Sequence, residues 1–185
     1  MRVAVYCSAK DCIPKDYLSL GDQLGVWLAE QGHELVYGGA TGGLMSRVSR
    51  AYQETTRREQ KTDNRIIGVA PQCILNAGRK SSRCDEFYEV NTMSERKQKM
   101  RELADCFICL PGSYGTLDEM MDVISSGIVG EHHKPLLVLN HDHFYDDFQA
   151  MIANMHRLAF LPEEEVYKPI FVNTLDELYG SSVFS

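Results

Sequence analysis

The 185-residue sequence predicts an α/β fold, a doubly wound parallel sheet with helices on both faces. Three observations predict it. Short apolar runs alternate with longer stretches of helical periodicity along the whole chain. The runs are apolar throughout, as strands covered on both faces require, rather than alternately apolar and polar. Two glycine-bearing turns each lead from such a run into a helical stretch, at the strand ends where sheets of this kind hold ligands. Crossovers are expected to be right-handed. No internal repeat, linker or low-complexity stretch divides the chain, so residues 1–185 are expected to form one domain.

Taken in order, Arg2 to Cys7 reads as the first strand and Cys7-Ser8-Ala9-Lys10 as a turn. Tyr17 to Gln31 carries Leu18, Leu20, Leu24, Trp27 and Leu28 at helical spacing, and Gly32 ends it. Leu35-Val36-Tyr37 is the second strand. The turn Gly38-Gly39-Ala40-Thr41-Gly42-Gly43 then opens a helix running to about Thr56. Four glycines within six residues allow positive φ and a close backbone approach to a ligand, which makes Gly38, Gly39 and Gly43 candidate binding residues. Arg57 to Asn64 is a charged connection, and Ile66 to Ala70 a strand ended by Pro71. Arg79-Lys80-Ser81-Ser82-Arg83 reads as a solvated basic loop, with a phosphate contact as the alternative. Phe87 to Val90 is a short strand. Met93 to Ala104 is a helix so rich in charge that most of it is expected to face water. Cys106 to Leu110 is the next strand. After it, Leu117, Met120, Met121 and Ile124 mark a helix. Lys134 to Leu139, Phe144 to Leu158, Ile170 to Val172 and Thr174 to Tyr179 read as strand, helix, strand and helix.

Composition bounds the function. The apolar and charged fractions, 44% and 24%, are those of an ordinary globular chain. A net charge of −7 argues against unspecific nucleic-acid binding and against an anionic membrane surface. The chain enters a strand at once, and no apolar run is long enough to span a bilayer, so a cytoplasmic protein is expected. Its six cysteines should then be free thiols. Cys106 and Cys109 have redox or zinc spacing, but residues three apart on a strand face opposite ways and cannot share an ion. His141-Asp142-His143 reads as an exposed helix start. No metal and no cofactor is expected.

The chain is organised around the stretch from Leu110 to Glu119. A strand, a glycine turn and a helix in succession aim unpaired backbone N–H groups and a positive helix end at one point, which suits a phosphate. Glu119 cannot be there for the phosphate, because like charges repel. It is either a helix cap or the group that acts on what the phosphate carries. Thr116-Leu117-Asp118-Glu119 does fit a capping box. The same tetrapeptide recurs at Thr174-Leu175-Asp176-Glu177 with no glycine turn before it, so alone it says no more than helix start.

At this point the residues resemble the Lonely Guy family, cytokinin riboside 5'-monophosphate phosphoribohydrolases often mislabelled lysine decarboxylases. The family signature P-G-G-x-G-T-x-x-E reads here Pro111-Gly112-Ser113-Tyr114-Gly115-Thr116-Leu117-Asp118-Glu119, and its M-x-x-R-K element reads Met93-Ser94-Glu95-Arg96-Lys97. Tyr37 to Met45 resembles its G-G-x-x-x-G-L-M turn, and Lys134-Pro135 with Leu139-Asn140 its next strand. The resemblance implies a Rossmann-like fold, a homodimer with the site near the subunit interface, and hydrolysis of the N-glycosidic bond of a purine nucleoside 5'-monophosphate. It makes Arg96 and Glu119 catalytic. It places substrate contacts at Lys97, Gly112, Ser113, Tyr114, Gly115, Thr116, Leu117 and Asp118, and at Ser125 six residues past the glutamate. Three departures stand out. Ser113 replaces the second signature glycine, Ser46 a usual glycine after Leu44-Met45, and Ser125-Ser126-Gly127-Ile128 the usual T-W-x-Q. The competing class is a non-catalytic module binding a nucleotide or another phosphorylated ligand. A dinucleotide oxidoreductase fits less well, because the first glycine turn is not G-x-G-x-x-G and no acidic residue ends the second strand.

Overall fold

The structure, a computed structural model, describes residues 1–185. Seven strands form one sheet: β1 (Arg2–Tyr6), β2 (Glu34–Tyr37), β3 (Ile66–Pro71), β4 (Glu86–Val90), β5 (Cys106–Cys109), β6 (Leu136–Leu139) and β7 (Ile170–Val172). Every pairing is parallel, in the order β4-β3-β2-β1-β5-β6-β7. The helices are α1 (Lys15–Glu30), α2 (Gly43–Arg58), α3 (Gln72–Asn76), α4 (Met93–Leu103), α5 (Tyr114–Ile128), α6 (Asp146–Arg157) and α7 (Leu175–Tyr179). The sheet grows outward from β1 to β4 and then restarts at β5 on the other side of β1. The chain therefore reverses direction across the sheet between β1 and β5, where the carboxyl ends of the two strands leave a crevice.

Strand alternation sorts the core into two layers. Val3, Val5, Cys106 and Ile108 pack with Leu20, Leu24 and Leu28 of α1, Val48 and Tyr52 of α2, and Leu178 of α7. Ala4, Tyr6, Phe107 and Cys109 pack with Met100 of α4 and Met120, Val123 and Ile124 of α5. Helices cover both faces, as expected. Cys106 and Cys109 lie in different layers. No helix is long and apolar enough to cross a membrane.

Four local readings change. Gln72–Asn76 forms a short helix that the sequence did not announce. His141–His143 is a turn of 3₁₀ helix, with Asp142 and His143 both at positive φ (49° and 60°). The basic loop is pinned rather than free. Thr41 N–H donates to the Arg79 carbonyl (2.9 Å), Ser81 N–H donates to the Gly39 carbonyl (2.8 Å), and Ser81 is buried. Finally, α4 does not simply face water: Arg96 and Met100, one turn apart, are both buried.

Candidate active site

The turn after β5 delivers α5 with an open end. Ser113 is the N-cap residue, and its side chain makes no capping bond. The first amide of α5 paired back along the helix is Leu117 N–H, to the Ser113 carbonyl (3.0 Å). The N–H groups of Tyr114, Gly115 and Thr116 have no acceptor within the helix, so they supply donors at its positive end. Gly112 is required by packing: a Cβ there would overlap the Thr116 hydroxyl. Ser113 has φ −99° and ψ −158°, ordinary extended backbone, so a serine costs nothing where the signature has glycine.

Thr116 and Glu119 do not form a capping box. Thr116 already lies inside the helix, and Glu119, 2% exposed, points into the protein. The look-alike behaves otherwise. Thr174 is a true N-cap accepting from Glu177 N–H (3.1 Å), and the Glu177 carboxylate accepts from Asn173 N–H (2.7 Å). Thr92 and Glu95 cap α4 in the same way. One tetrapeptide thus serves two purposes, and the strand and turn before it decide which.

Glu119 meets Arg96. The Thr92 cap fixes the first turn of α4 and leaves Arg96, 7% exposed, turned inward. Arg96 Nε donates to the Val69 carbonyl (3.1 Å), and Nη1 stands 2.6 Å from Glu119 Oε1. The contact is short and charged, and Oε1, closed to solvent, has no further partner. Burial pushes the Glu119 carboxyl above the ordinary carboxylate range, and the Arg96 charge pulls it part of the way back. Gly38 abuts the guanidinium, where a Cβ would overlap Arg96 Nη2.

A cleft of about 110 Å³ opens on this pair. Ser113, Gly115 and Thr116 form one wall, and Cys7-Ser8-Ala9 and Met45 the other. Nothing in the sequence marks Cys7, Ser8 and Ala9, which carry no glycine signature. The reversal of strand order brings them in, because it sets the end of β1 beside the end of β5. Burial drives the Cys7 thiol well up, so it stays protonated and is no nucleophile. No lysine lines the cleft.

The first glycine turn is built for its own chain. Gly39 (φ 60°) backs onto Phe87, and a Cβ on Gly43 (φ 48°) would sit 2.6 Å from the Lys10 carbonyl. Two amides at the start of α2 are filled by the chain itself: Gly43 N–H donates to Asp11 Oδ1 (2.8 Å) and Gly42 N–H to Ser46 Oγ (2.7 Å). Ser46 thus supplies a cap where a glycine is usual. The conformational freedom of Gly39 and Gly43 is used in packing against the chain's own segments, and Gly38 makes room for Arg96.

The other expected site residues fall outside the cleft. Lys97 pairs with Asp118 (2.7 Å) and lies near Asp122 (3.6 Å). Leu117 is half-buried, Ser125 is exposed and Tyr114 is 90% exposed.

A family model described as "Possible lysine decarboxylase" matches residues 45–181. Among curated proteins, one named cytokinin riboside 5'-monophosphate phosphoribohydrolase from Mycobacterium marinum is 33% identical, over 95% of this chain and 89% of its own length. The rice protein of that name, LOG, is 37% identical over 88% of this chain, which spans 64% of the rice protein's length. Among solved structures, a molybdenum cofactor binding protein from Rippkaea orientalis superposes with a TM-score of 0.69 at 20% identity, covering 96% of this chain and 92% of its own. A molybdenum cofactor carrier protein from Chlamydomonas reinhardtii gives 0.67 at 16% identity, with the same coverage. At such identities the structural likeness speaks for the Rossmann-like fold. The sequence matches, joined to the turn at Pro111–Glu119 and the Arg96–Glu119 pair, assign the family: the chain belongs to the Lonely Guy phosphoribohydrolase family, whose model carries the lysine decarboxylase description.

Proposed function

We propose that the chain hydrolyses the N-glycosidic bond of a purine nucleoside 5'-monophosphate, of N6-modified adenine or AMP type, releasing free base and ribose 5-phosphate. The observation that carries this reading is the buried Arg96–Glu119 pair beside an uncapped helix end. Pure binding of a phosphate does not call for a carboxylate about one turn away. The names of the relatives from rice and Mycobacterium marinum support the substrate class.

In this reading the 5'-phosphate sits on the N–H groups opening α5, with the Thr116 hydroxyl beside them, and this fixes where C1' lies. The C1'–N bond breaks with its electron pair leaving on the base, and C1' takes oxocarbenium character. The Glu119 carboxylate stabilises that charge and orients the ribose hydroxyl or the attacking water. Water forms the new C1'–O bond and gives up a proton, and the departing nitrogen takes one. Arg96 stays charged and offsets the negative charge developing on the base. Lysine decarboxylation through a Schiff base has no support here, since no lysine lines the cleft and Lys97 is held by Asp118.

We further infer a homodimer. Tyr114, Met121 and Ile128 recur every seven residues as an exposed apolar stripe on α5, with Ser125 between the last two. A second copy on this face would bring Tyr114, Leu117 and Ser125 close to an active site. The six free thiols suit a cytoplasmic location.

The test is free-base release from AMP and from N6-isopentenyl-AMP, followed by chromatography, with Glu119→Ala alongside. Release by the wild type alone is expected. Binding without release by the wild type would replace hydrolysis with a nucleotide-binding role. Sedimentation of the wild type and of Met121→Glu tests the dimer, with a shift to monomer expected for the variant.

A further inference from the structure

A second cleft, of about 400 Å³, lies beside the reactive one and has no part in the steps above. Its floor is Pro111, Gly112 and Ser113, the turn that opens α5, and its walls are Ile13, Pro14 and Tyr17 from the start of α1 and Phe144 after β6. The two clefts share Ser8 and Ser113. They fall on opposite halves of the sheet. The reactive cleft takes Arg96 and Met45 from the β2–β3 side, while the second takes Phe144 from the β6 side.

The aromatic wall is held in place. Tyr17 and Phe144 meet edge to face with ring centroids 6.0 Å apart, and His141 packs on Tyr17 at 5.3 Å. Phe144 leaves a turn in which Asp142 and His143 both adopt left-handed backbone, a costly conformation for residues with a Cβ. Its neighbour Tyr145 is buried and donates to the Leu110 carbonyl (2.9 Å), and Tyr145 N–H donates to Asn140 Oδ1 (2.6 Å). The turn presenting Phe144 is thereby bolted to the turn that opens α5. Phe144 itself remains 44% exposed, a half-wet ring over an apolar floor.

We propose that this cleft is a subsite for an aromatic or apolar group carried on the far side of the substrate's 5'-phosphate. The ligand class is a 5'-phosphate ester of a purine nucleoside, such as two nucleosides joined 5' to 5' through a pyrophosphate. The proposal rests on the hydrolase reading for its orientation. With the ribose at Glu119 and the phosphate on the first amides of α5, whatever extends beyond the phosphate passes Ser113 and enters this cleft. Lys10 lines the cleft and supplies a cation for a second phosphate. Bond breaking at C1' is unchanged, so the products are free base and the 5'-esterified ribose phosphate.

The test compares AMP with the methyl and phenyl esters of its phosphate, by calorimetry for binding and by base release for turnover. The phenyl ester should bind about 10-fold more tightly than the methyl ester, the gain from covering one ring. Phe144→Ala should bring that ratio close to one, and Phe144→Leu, which keeps an apolar wall, should retain part of it. A ratio of one in the wild type overturns the subsite, as does a ratio that Phe144→Ala leaves intact. Hydrolysis of AMP with no phenyl preference removes the subsite and leaves the hydrolase. Phenyl preference without base release keeps the subsite and removes the hydrolase. Failure of all three compounds to bind removes both.

Discussion

Replacing Gly38 with alanine isolates what holds Arg96. Gly38 does not adopt positive φ, so alanine fits its backbone and the whole effect falls on its neighbours. The added Cβ would overlap Arg96 Nη2 and lie 3.3 Å from Arg96 Cζ and from Met45 Cε. The guanidinium has little room to yield, tied to the Val69 carbonyl at 3.1 Å and set against Glu119 at 2.6 Å. It must swing off one of them. Losing one preorganised charge partner in a buried site costs about 2.7–4 kcal/mol of transition-state stabilisation, a fall of about 10²–10³ in kcat. KM should change little, because the donors opening α5 are untouched. Glu119 would also lose part of the charge that pulls its carboxyl down, so its already raised pKa climbs further. The acid limb of the pH–rate profile should move to higher pH. Base release measured across pH, with kcat and KM separated, reads all three. A variant with wild-type kcat and an unmoved acid limb would falsify the placement of Arg96.

Glu119→Gln should abolish base release, and it has a pH signature in stability. A carboxyl raised by burial stabilises the fold at low pH, and that contribution is lost as pH rises through its folded value. The stability of wild type minus variant, from denaturation at several pH values, should therefore fall from the ordinary carboxylate range upward; a difference that rises instead refutes the burial account. Ser46→Ala leaves the Gly42 N–H without its acceptor and should cost about 1 kcal/mol in denaturant unfolding. Thr174→Ala should cost about as much through its lost cap while leaving base release intact. Thr116→Ala should instead raise KM for the nucleotide, and equal behaviour of the two threonine variants would argue against the distinction between them.

Much of the fold was legible because strand and helix periods are local. The apolar runs mark the strands, and the parallel sheet follows from their lack of alternation. The site was legible in part. Glu119 stood out because a carboxylate beside a phosphate turn needs a reason. Arg96 looked like one more solvated charge on a highly charged helix, and its buried face shows in sequence only through Met100 one turn on. The glycines of the first turn have a second physical reason that the sequence hides. A glycine answers either a ligand or a neighbouring chain segment, and the neighbours, Arg96, Phe87 and Lys10, are distant in sequence. Ser8 and its neighbours were invisible because topology, not composition, brings them to the crevice.

The occupied start of α2 has a bearing on how a substrate can lie. Two glycine turns face the crevice, and each begins a helix whose positive end could receive an anion. At one of them Asp11 and Ser46 already satisfy two amides, and the Asp11 carboxylate would repel an incoming phosphate. The two helix starts are thus unequal: at one the chain itself takes up two amides and sets a carboxylate beside them, and at the other no side chain does so. A pseudo-symmetric pair of anion sites would let a nucleotide bind head-first or tail-first. With a carboxylate set beside one of them, the proposed reaction favours the orientation that carries the glycosidic bond to Glu119 rather than away from it.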